Sequence, residues 1–126
     1  MNAAAIYAVD GVLLVSITSD ITDSDIIELQ EHLSNRIAES QTRGVVLDIS
    51  ALEIVDTFVG RVLAQLTAIA RLLDAETYVV GMRPAVAMTL VELGMYLSDN
   101  HTALTLDHAL EKIRSAGQTD GIPRGA

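Results

Sequence analysis

The sequence predicts an α/β fold in which about four helices pack on a mixed sheet of four or five strands. Two short apolar runs flank the dipeptide Asp10–Gly11, which is the pattern of a tight β-hairpin. Apolar segments 44–49 and 76–81 then alternate with segments of helical periodicity. Strand–helix–strand repeats of this kind predict parallel crossovers with helices covering the sheet.

The first elements are the hairpin strands at 6–9 and 12–17, since both positions of an Asp-Gly turn favour positive φ. Residues 19–25 are rich in Ser, Thr and Asp, which form turns and cap helices. The helix that follows is predicted from apolar residues near helical spacing. These are Ile26, Leu29, Leu33 and Ile37.

The next segments alternate between strand and helix. Segment 44–49 is almost continuously apolar, as expected for a strand covered on both faces, and 76–81 has the same character. A helix is predicted between them, over 57–73. Pro84 suits the first turn of a further helix, and Gly94 suits its end.

The chain is predicted to close with a short strand at 103–104 and a final helix. Thr105 is a possible cap for that helix and Gly117 a stop. A single domain is therefore expected over 1–117. The tail 118–126 contains glycine and proline and is predicted to be disordered.

Composition excludes several classes of function. The chain has 126 residues and no cysteine, which excludes disulfides, thiol catalysis and cysteine-bound metals. A net charge of −9 argues against nucleic acid or an anionic membrane as the partner. No apolar run is long enough to cross a bilayer, and no signal peptide is recognisable, so a cytoplasmic location is expected.

No catalytic or cofactor motif is visible. His32, His101 and His108 lack metal-ligand spacing, so no metal site is expected. The glycines are isolated, which excludes a glycine-rich phosphate loop, and no nucleophile elbow is present. The sequence therefore predicts a protein without enzymatic activity or a bound cofactor.

The most informative segment is the helix start at Asp56 and Thr57, directly after the loop that follows strand 44–49. Either side chain can accept a hydrogen bond from an unpaired backbone N–H and so cap the helix. The Thr57 hydroxyl can also be a phosphate acceptor. The positive end of a helix dipole tolerates a phosphate, which adds roughly −1.5 to −2 charge that Asp56 would repel.

Helical phase places Thr57 opposite the core face of its helix. The core face is predicted to hold Val59, Val62, Leu63, Leu66, Ile69, Ala70 and Leu73. The opposite face, which we call the Thr57 stripe, consists of Thr57, Gly60, Arg61, Ala64, Ala68 and Arg71. The stripe is either an ordinary alanine-rich surface or a docking groove in which Arg61 and Arg71 pair with acidic residues.

Phe58 lies between the two faces. It is expected to anchor the edge of the core, with a partner contact as the alternative. The partner-binding residues of the docking hypothesis are Asp56, Phe58, Gly60, Arg61 and Ala64.

Five segments carry a resemblance to a known family. They are 13–17, the strand 44–48, the segment Val55–Phe58, 62–63 and, most specifically, 81–94, which reads GMRPAVAMTLVELG. Over roughly residues 5–115 the chain resembles a STAS domain, the fold of bacterial anti-anti-sigma factors. Within that family it is most similar to the stressosome antagonists of the RsbS type.

This resemblance implies a function without catalysis. Such antagonists assemble with RsbR-like paralogous sensors, and with copies of themselves, into a complex that holds an RsbT-like serine/threonine switch kinase. The kinase phosphorylates the hydroxyl that corresponds to Thr57 and is released, and an RsbX-like phosphatase resets the switch.

One residue departs from the antagonist pattern, which has serine where this chain has Thr57. Threonine is common at that position in the co-antagonist sensors, which carry an additional N-terminal domain. Because this chain starts at its first strand, its length favours the antagonist. The alternatives are a purely structural scaffold subunit, or an anti-anti-sigma factor that binds an anti-sigma kinase.

Overall fold

The predicted α/β architecture is confirmed by a computed structural model, which describes residues 4–39, 41–92, 94, 102–103 and 105–121. It contains a five-stranded sheet and four helices. The strands are β1 Ala4–Val9, β2 Val12–Ile17, β3 Gly44–Asp48, β4 Glu76–Val80 and β5 Thr102–Ala103. The helices are α1 Asp23–Glu39, α2 Thr57–Leu72, α3 Pro84–Glu92 and α4 Leu106–Gly121.

The sheet is mixed, with the strands side by side in chain order. The β1–β2 hairpin is antiparallel, and the pairs β2–β3, β3–β4 and β4–β5 are parallel. The hairpin turn has the predicted geometry, since φ is 50° at Asp10 and 79° at Gly11. The short strand predicted at 103–104 is observed at Thr102–Ala103, and Leu104 lies outside the described residues.

Two hydrophobic clusters cover the two faces of the sheet. The larger cluster joins α1, α2 and α3 to the face that includes Val45 and Leu47. The smaller one joins α4 to the other face, which includes Val46 and Tyr78. Successive residues of β3 therefore enter different clusters, and this explains why the strand reads as continuously apolar.

The helix ends follow local chemistry, with two corrections. Pro84 begins α3, and Gly94 follows it at φ 74° with its N–H bonded to the Val91 carbonyl. The predicted end of α4 at Gly117 is wrong, because the helix continues to Gly121. One glycine costs a helix only about 1 kcal/mol, which neighbouring residues can offset. Residues 122–126 of the predicted tail lie outside the described part of the chain.

The second correction concerns Leu73, which was predicted on the core face of α2 and is 40% exposed. Helix α2 ends at Leu72, and Leu73 has φ −96° and ψ 16°, so it no longer follows helical phase. Of the other predicted core residues of α2, Ile69 is half-buried and the rest are buried.

Candidate functional site

The candidate site lies at the edge of the sheet where the parallel strands β2, β3 and β4 end. Because these strands run in the same direction, the segments that follow them emerge on the same side. They are residues 18–22, 49–56 and 81–83. In open α/β sheets, binding sites lie preferentially at this carboxyl edge.

The first of these segments serves as a helix cap. The Thr22 N–H donates to Asp25 Oδ2 at 3.0 Å, and the Asp25 N–H donates to Thr22 Oγ1 at 3.2 Å. This reciprocal pair is a capping box at the start of α1. The hydroxyl- and carboxylate-rich sequence of this segment is thus explained by local structure.

The 49–56 loop is fixed by contacts with the core and by hydrogen bonds at the end of β3. Buried Leu52 and Val55 fix it to the core, and the Ile49 N–H donates to the Val80 carbonyl at 3.0 Å. Asp48 Oδ1 accepts from the Ser50 N–H at 2.9 Å, which closes a tight turn at the end of β3. The loop therefore delivers the chain to α2 in a fixed direction.

Segment 81–83 packs against the same loop. Gly81 has φ 75°, and a Cβ on it would lie 2.7 Å from the Ser50 Cβ. Arg83 Nε donates to the Ser50 carbonyl at 3.3 Å. Gly81 and Arg83 thus support the loop that leads to Thr57.

The first turn of α2 decides between the two candidate caps. Asp56 is the cap, with an extended backbone (φ −98°, ψ −178°), and its Oδ1 accepts from the Val59 N–H at 2.9 Å. Thr57 is the first helical residue and is exposed. Its hydroxyl makes no hydrogen bond to any residue that the structure describes. The hydroxyl is therefore not needed to hold the helix start.

The Thr57 stripe is exposed except at one position. Arg61, Ala64, Ala68 and Arg71 are exposed together with Thr57, whereas Gly60 is buried. Gly60 was predicted to lie on the open face, and this expectation was wrong. Helical phase gives the direction of a Cβ, which glycine lacks, so it does not report whether the backbone itself is accessible.

Two apolar side chains flank the start of the stripe. Phe58 is half-buried and packs against the larger core cluster, as predicted for a core-edge residue. Ile54, in the loop, is 79% exposed. The sequence gives no signal for Ile54, because a single apolar residue in the loop between a strand and a helix has no periodicity. The only signal for Arg83 is its place in the motif at 81–94.

The charged side chains around Thr57 differ in whether they have a partner among the described residues. Glu53 and Asp56 are exposed acidic residues just before it, and the Asp56 carboxylate already caps the helix. Arg61, one turn after Thr57, is exposed and has neither a hydrogen bond nor an ion pair among the described residues. The helix sequence TFVGRVLAQLTAIARL contains no acidic residue that could neutralise it.

The candidate site, as far as the structure describes it, lacks the features of a metal centre. In the part of the chain with described coordinates, no group of three His, Asp or Glu residues is placed to hold a metal ion. His32 and His108 are exposed there, and His101 lies outside the described residues. No helix among the described residues is both long enough and apolar enough to cross a bilayer.

Solved structures with similar folds include stressosome proteins. A serine-to-glutamate variant of RsbS from Moorella thermoacetica is 38% identical, with a TM-score of 0.80, and the match covers 91% of this chain and 97% of that one. A chain from a structure of the stressosome, described as a signal integration and transduction hub, is also 38% identical. Its TM-score is 0.82, with coverage of 90% and 99%.

Curated relatives include the RsbT co-antagonist protein RsbRA of Bacillus subtilis, which is 27% identical over 111 residues. That match covers 88% of this chain and 40% of the relative. The chain thus spans about two fifths of the length of RsbRA and of the related co-antagonist RsbRD. The STAS domain family matches residues 3–109. The chain belongs to the STAS-domain family, as its sequence motifs indicate.

Proposed function

We propose that this chain is a phospho-switched antagonist that holds an RsbT-like serine/threonine kinase in a stressosome-type complex and releases it on phosphorylation of Thr57. The observation that supports this most strongly is the separation of roles at the start of α2. Asp56 caps the helix, and the neighbouring Thr57 hydroxyl is exposed without a hydrogen bond to the described residues. Phosphorylation would leave the helix cap in place.

The chemistry belongs to the kinase, and this chain is the substrate. The Thr57 oxygen attacks the γ-phosphorus of ATP bound to the kinase, and the bond from that phosphorus to the ADP oxygen breaks. The hydroxyl proton passes to a base of the kinase. The β-methyl of threonine restricts χ1, so the oxygen samples fewer positions than that of a serine. No catalytic group of this chain takes part.

The kinase-binding surface of the proposal is the exposed part of the Thr57 stripe with its flanking apolar residues. Arg61, whose guanidinium is unpaired among the described residues, can bind a carboxylate of the partner, and Ala64 leaves room for close approach. Ile54 and the exposed edge of Phe58 provide apolar contact. Buried Gly60 does not belong to this surface, and Asp56 acts by shaping it.

A phosphate on Thr57 would change this surface in charge more than in shape. It adds roughly −1.5 to −2 charge at neutral pH, next to two acidic residues and on a chain of net charge −9. A partner that docks over the stripe would have to bury this added anion and meet its charge, which costs several kcal/mol. We therefore expect the kinase to be released while this domain stays folded.

The similarity to known proteins supports the choice of partners. The similar proteins are an RsbS, a chain of a stressosome and two co-antagonists of RsbT, which favours an RsbT-like kinase and assembly with RsbR-like paralogues and further copies. An RsbX-like phosphatase and a cytoplasmic location complete the proposal by analogy with that system.

Phosphorylation with a purified RsbT-like kinase and ATP tests the proposal. Intact-mass measurement is expected to show one added phosphoryl group, and peptide mapping is expected to place it on Thr57. Thr57→Val, which keeps the shape of the side chain without its hydroxyl, is the control and is expected to remain unmodified. Absence of a phosphoryl group on the wild-type chain, or its presence elsewhere, would refute the switch.

A scaffold role without phosphorylation is the second candidate, and the match to a chain of a stressosome favours it. Under this alternative the chain would assemble with an RsbR-like partner on a sizing column and take up no phosphoryl group in the same reaction. The remaining alternative is an anti-anti-sigma factor. It predicts binding to an anti-sigma kinase when that kinase is tested in place of the RsbT-like kinase.

A further inference from the structure

We infer that Arg61 binds the phosphate of phosphorylated Thr57 in an ion pair within α2, and that this pair withdraws Arg61 from the partner. This inference rests on the proposed function and goes beyond it. It assigns to the phosphate a hydrogen-bond donor within the same chain. Phosphorylation would then both remove the attraction between Arg61 and the partner and add a repulsive negative charge.

Helix geometry places the two side chains together. Thr57 and Arg61 are four residues apart within α2, so they are neighbours on one face, with Cβ atoms about 5–6 Å apart. The anionic position precedes the cationic one, which is the favourable order for an ion pair on a helix. Both residues are exposed, so neither has to leave the core to meet the other.

Arg61 has no competing partner in the described residues. Its neighbour one turn further along α2 is Gln65, whose Oε1 already accepts from Gln30 Nε2 at 2.9 Å. The residues three before and three after it are Phe58 and Ala64, which carry no charge. Of the four positions on α2 that neighbour Arg61, position 57 is therefore the one at which phosphorylation would introduce a negative charge.

The excess of negative charge in the chain favours this ion pair. The chain has eight basic and 17 acidic residues, and Glu53 and Asp56 lie just before Thr57. A phosphate would be repelled by these carboxylates, and the guanidinium offsets that repulsion with two parallel N–H groups that match phosphate oxygens. Before phosphorylation the same N–H groups are available to a carboxylate of the kinase.

The test is a ³¹P NMR titration of the full chain carrying genetically encoded phosphothreonine at 57, so that it does not depend on the kinase. Loss of the cation in Arg61→Gln is expected to raise the second pKa of the phosphate by about 0.3. Arg61→Lys keeps the charge without the paired N–H groups and is expected to fall between the two.

Arg71→Gln is the matched control. Arg71 is exposed on the same stripe, but lies 14 residues after Thr57, which is about 21 Å along the helix. It is expected to leave the pKa of the phosphate unchanged. If Arg61→Gln also leaves it unchanged, or if Arg71→Gln raises it equally, the ion pair is refuted. The kinase assay on the wild-type chain decides the proposed function separately.

Discussion

At the scale of single residues, Asp56 and Thr57 have different roles that the sequence alone does not assign. One side chain caps the helix, and the other provides an exposed hydroxyl. Both can cap a helix, but only one side chain can occupy the cap position. The extended backbone at Asp56 gives it the cap, and the 2.9 Å bond to the Val59 N–H is its result. Thr57 is left exposed, and its hydroxyl takes no part in the cap.

These roles predict that the free energy of unfolding depends on the side chain of Asp56 and little on that of Thr57. Asp56→Ala is expected to lower the free energy of unfolding by about 1 kcal/mol, because the Val59 N–H loses its acceptor. Thr57→Ala is expected to change it by less than about 0.5 kcal/mol, as for other exposed sites. Urea denaturation measures both. Asp56→Asn keeps an acceptor and is the control; a large loss in Thr57→Ala would show that its hydroxyl supports the fold.

Thr77 is a buried residue with an unsatisfied group. It is 2% exposed, and its Oγ1 has no hydrogen-bond partner among the described residues. Thr77→Val removes the hydroxyl at nearly constant shape and is expected to raise the free energy of unfolding by about 1 kcal/mol.

The control for this change is Thr67→Val on the facing helix. The Thr67 hydroxyl donates to the Leu63 carbonyl at 2.8 Å, so its removal is expected to bring no gain in stability. Urea denaturation of the two variants decides the matter, and a loss of stability in Thr77→Val would mean that its hydroxyl is bonded in solution.

At the scale of elements, the site depends on two segments that are 33 residues apart in sequence. Arg83 and Gly81 meet the 49–56 loop at Ser50, by a hydrogen bond and by close backbone approach. The start of α3 thereby supports the loop that leads into α2. This contact gives the distinctive 81–84 sequence a structural role at the candidate switch.

Two glycines with nearly the same positive φ allow this contact to be tested. Gly81 and Gly94 have φ of 75° and 74°, but a Cβ at Gly94 would meet no atom of the described residues within 4 Å. Gly94→Ala is expected to cost about 1–2 kcal/mol, the strain of a left-handed alanine. Gly81→Ala is expected to cost at least about 1 kcal/mol more, because its Cβ overlaps Ser50. Equal losses in urea denaturation would show that the loop does not rest on Gly81.

Most of the fold could be predicted because its signals are local. The Asp10–Gly11 turn, the apolar strands and the periodicity of α1 depend on short segments, and the structure confirms them. The contact of Arg83 with the loop joins distant residues and leaves no periodic trace. The burial of Gly60 and the exposure of Leu73 depend on packing and on a helix end, which phase alone does not define.

The exposure of two residues of the candidate site could be predicted, but the choice of the helix cap could not. Helical phase placed Thr57 and Arg61 on an exposed face correctly, because phase does determine where a Cβ points. It could not choose between the two caps, since that choice is set by the backbone dihedrals at Asp56.

At the scale of the whole molecule, three helices cover one face of the sheet and α4 covers the other, and no residue of the Thr57 stripe belongs to either hydrophobic cluster. The core side of α2 is buried in the larger cluster, and the opposite side is exposed except at Gly60. We therefore expect a charge added to the exposed side to change which partner binds while the fold stays the same. This is the physical basis of the proposed switch.

The affinity of the RsbT-like kinase for the unphosphorylated chain and for the chain phosphorylated on Thr57 tests this claim most directly. Phosphorylation is expected to weaken binding by more than about tenfold, while the urea midpoint changes little. Thr57→Asp, which carries less charge than a phosphate, is expected to weaken it less. Equal affinities for the two forms, or a phosphorylated chain that has lost its fold, would contradict a switch that acts through surface charge.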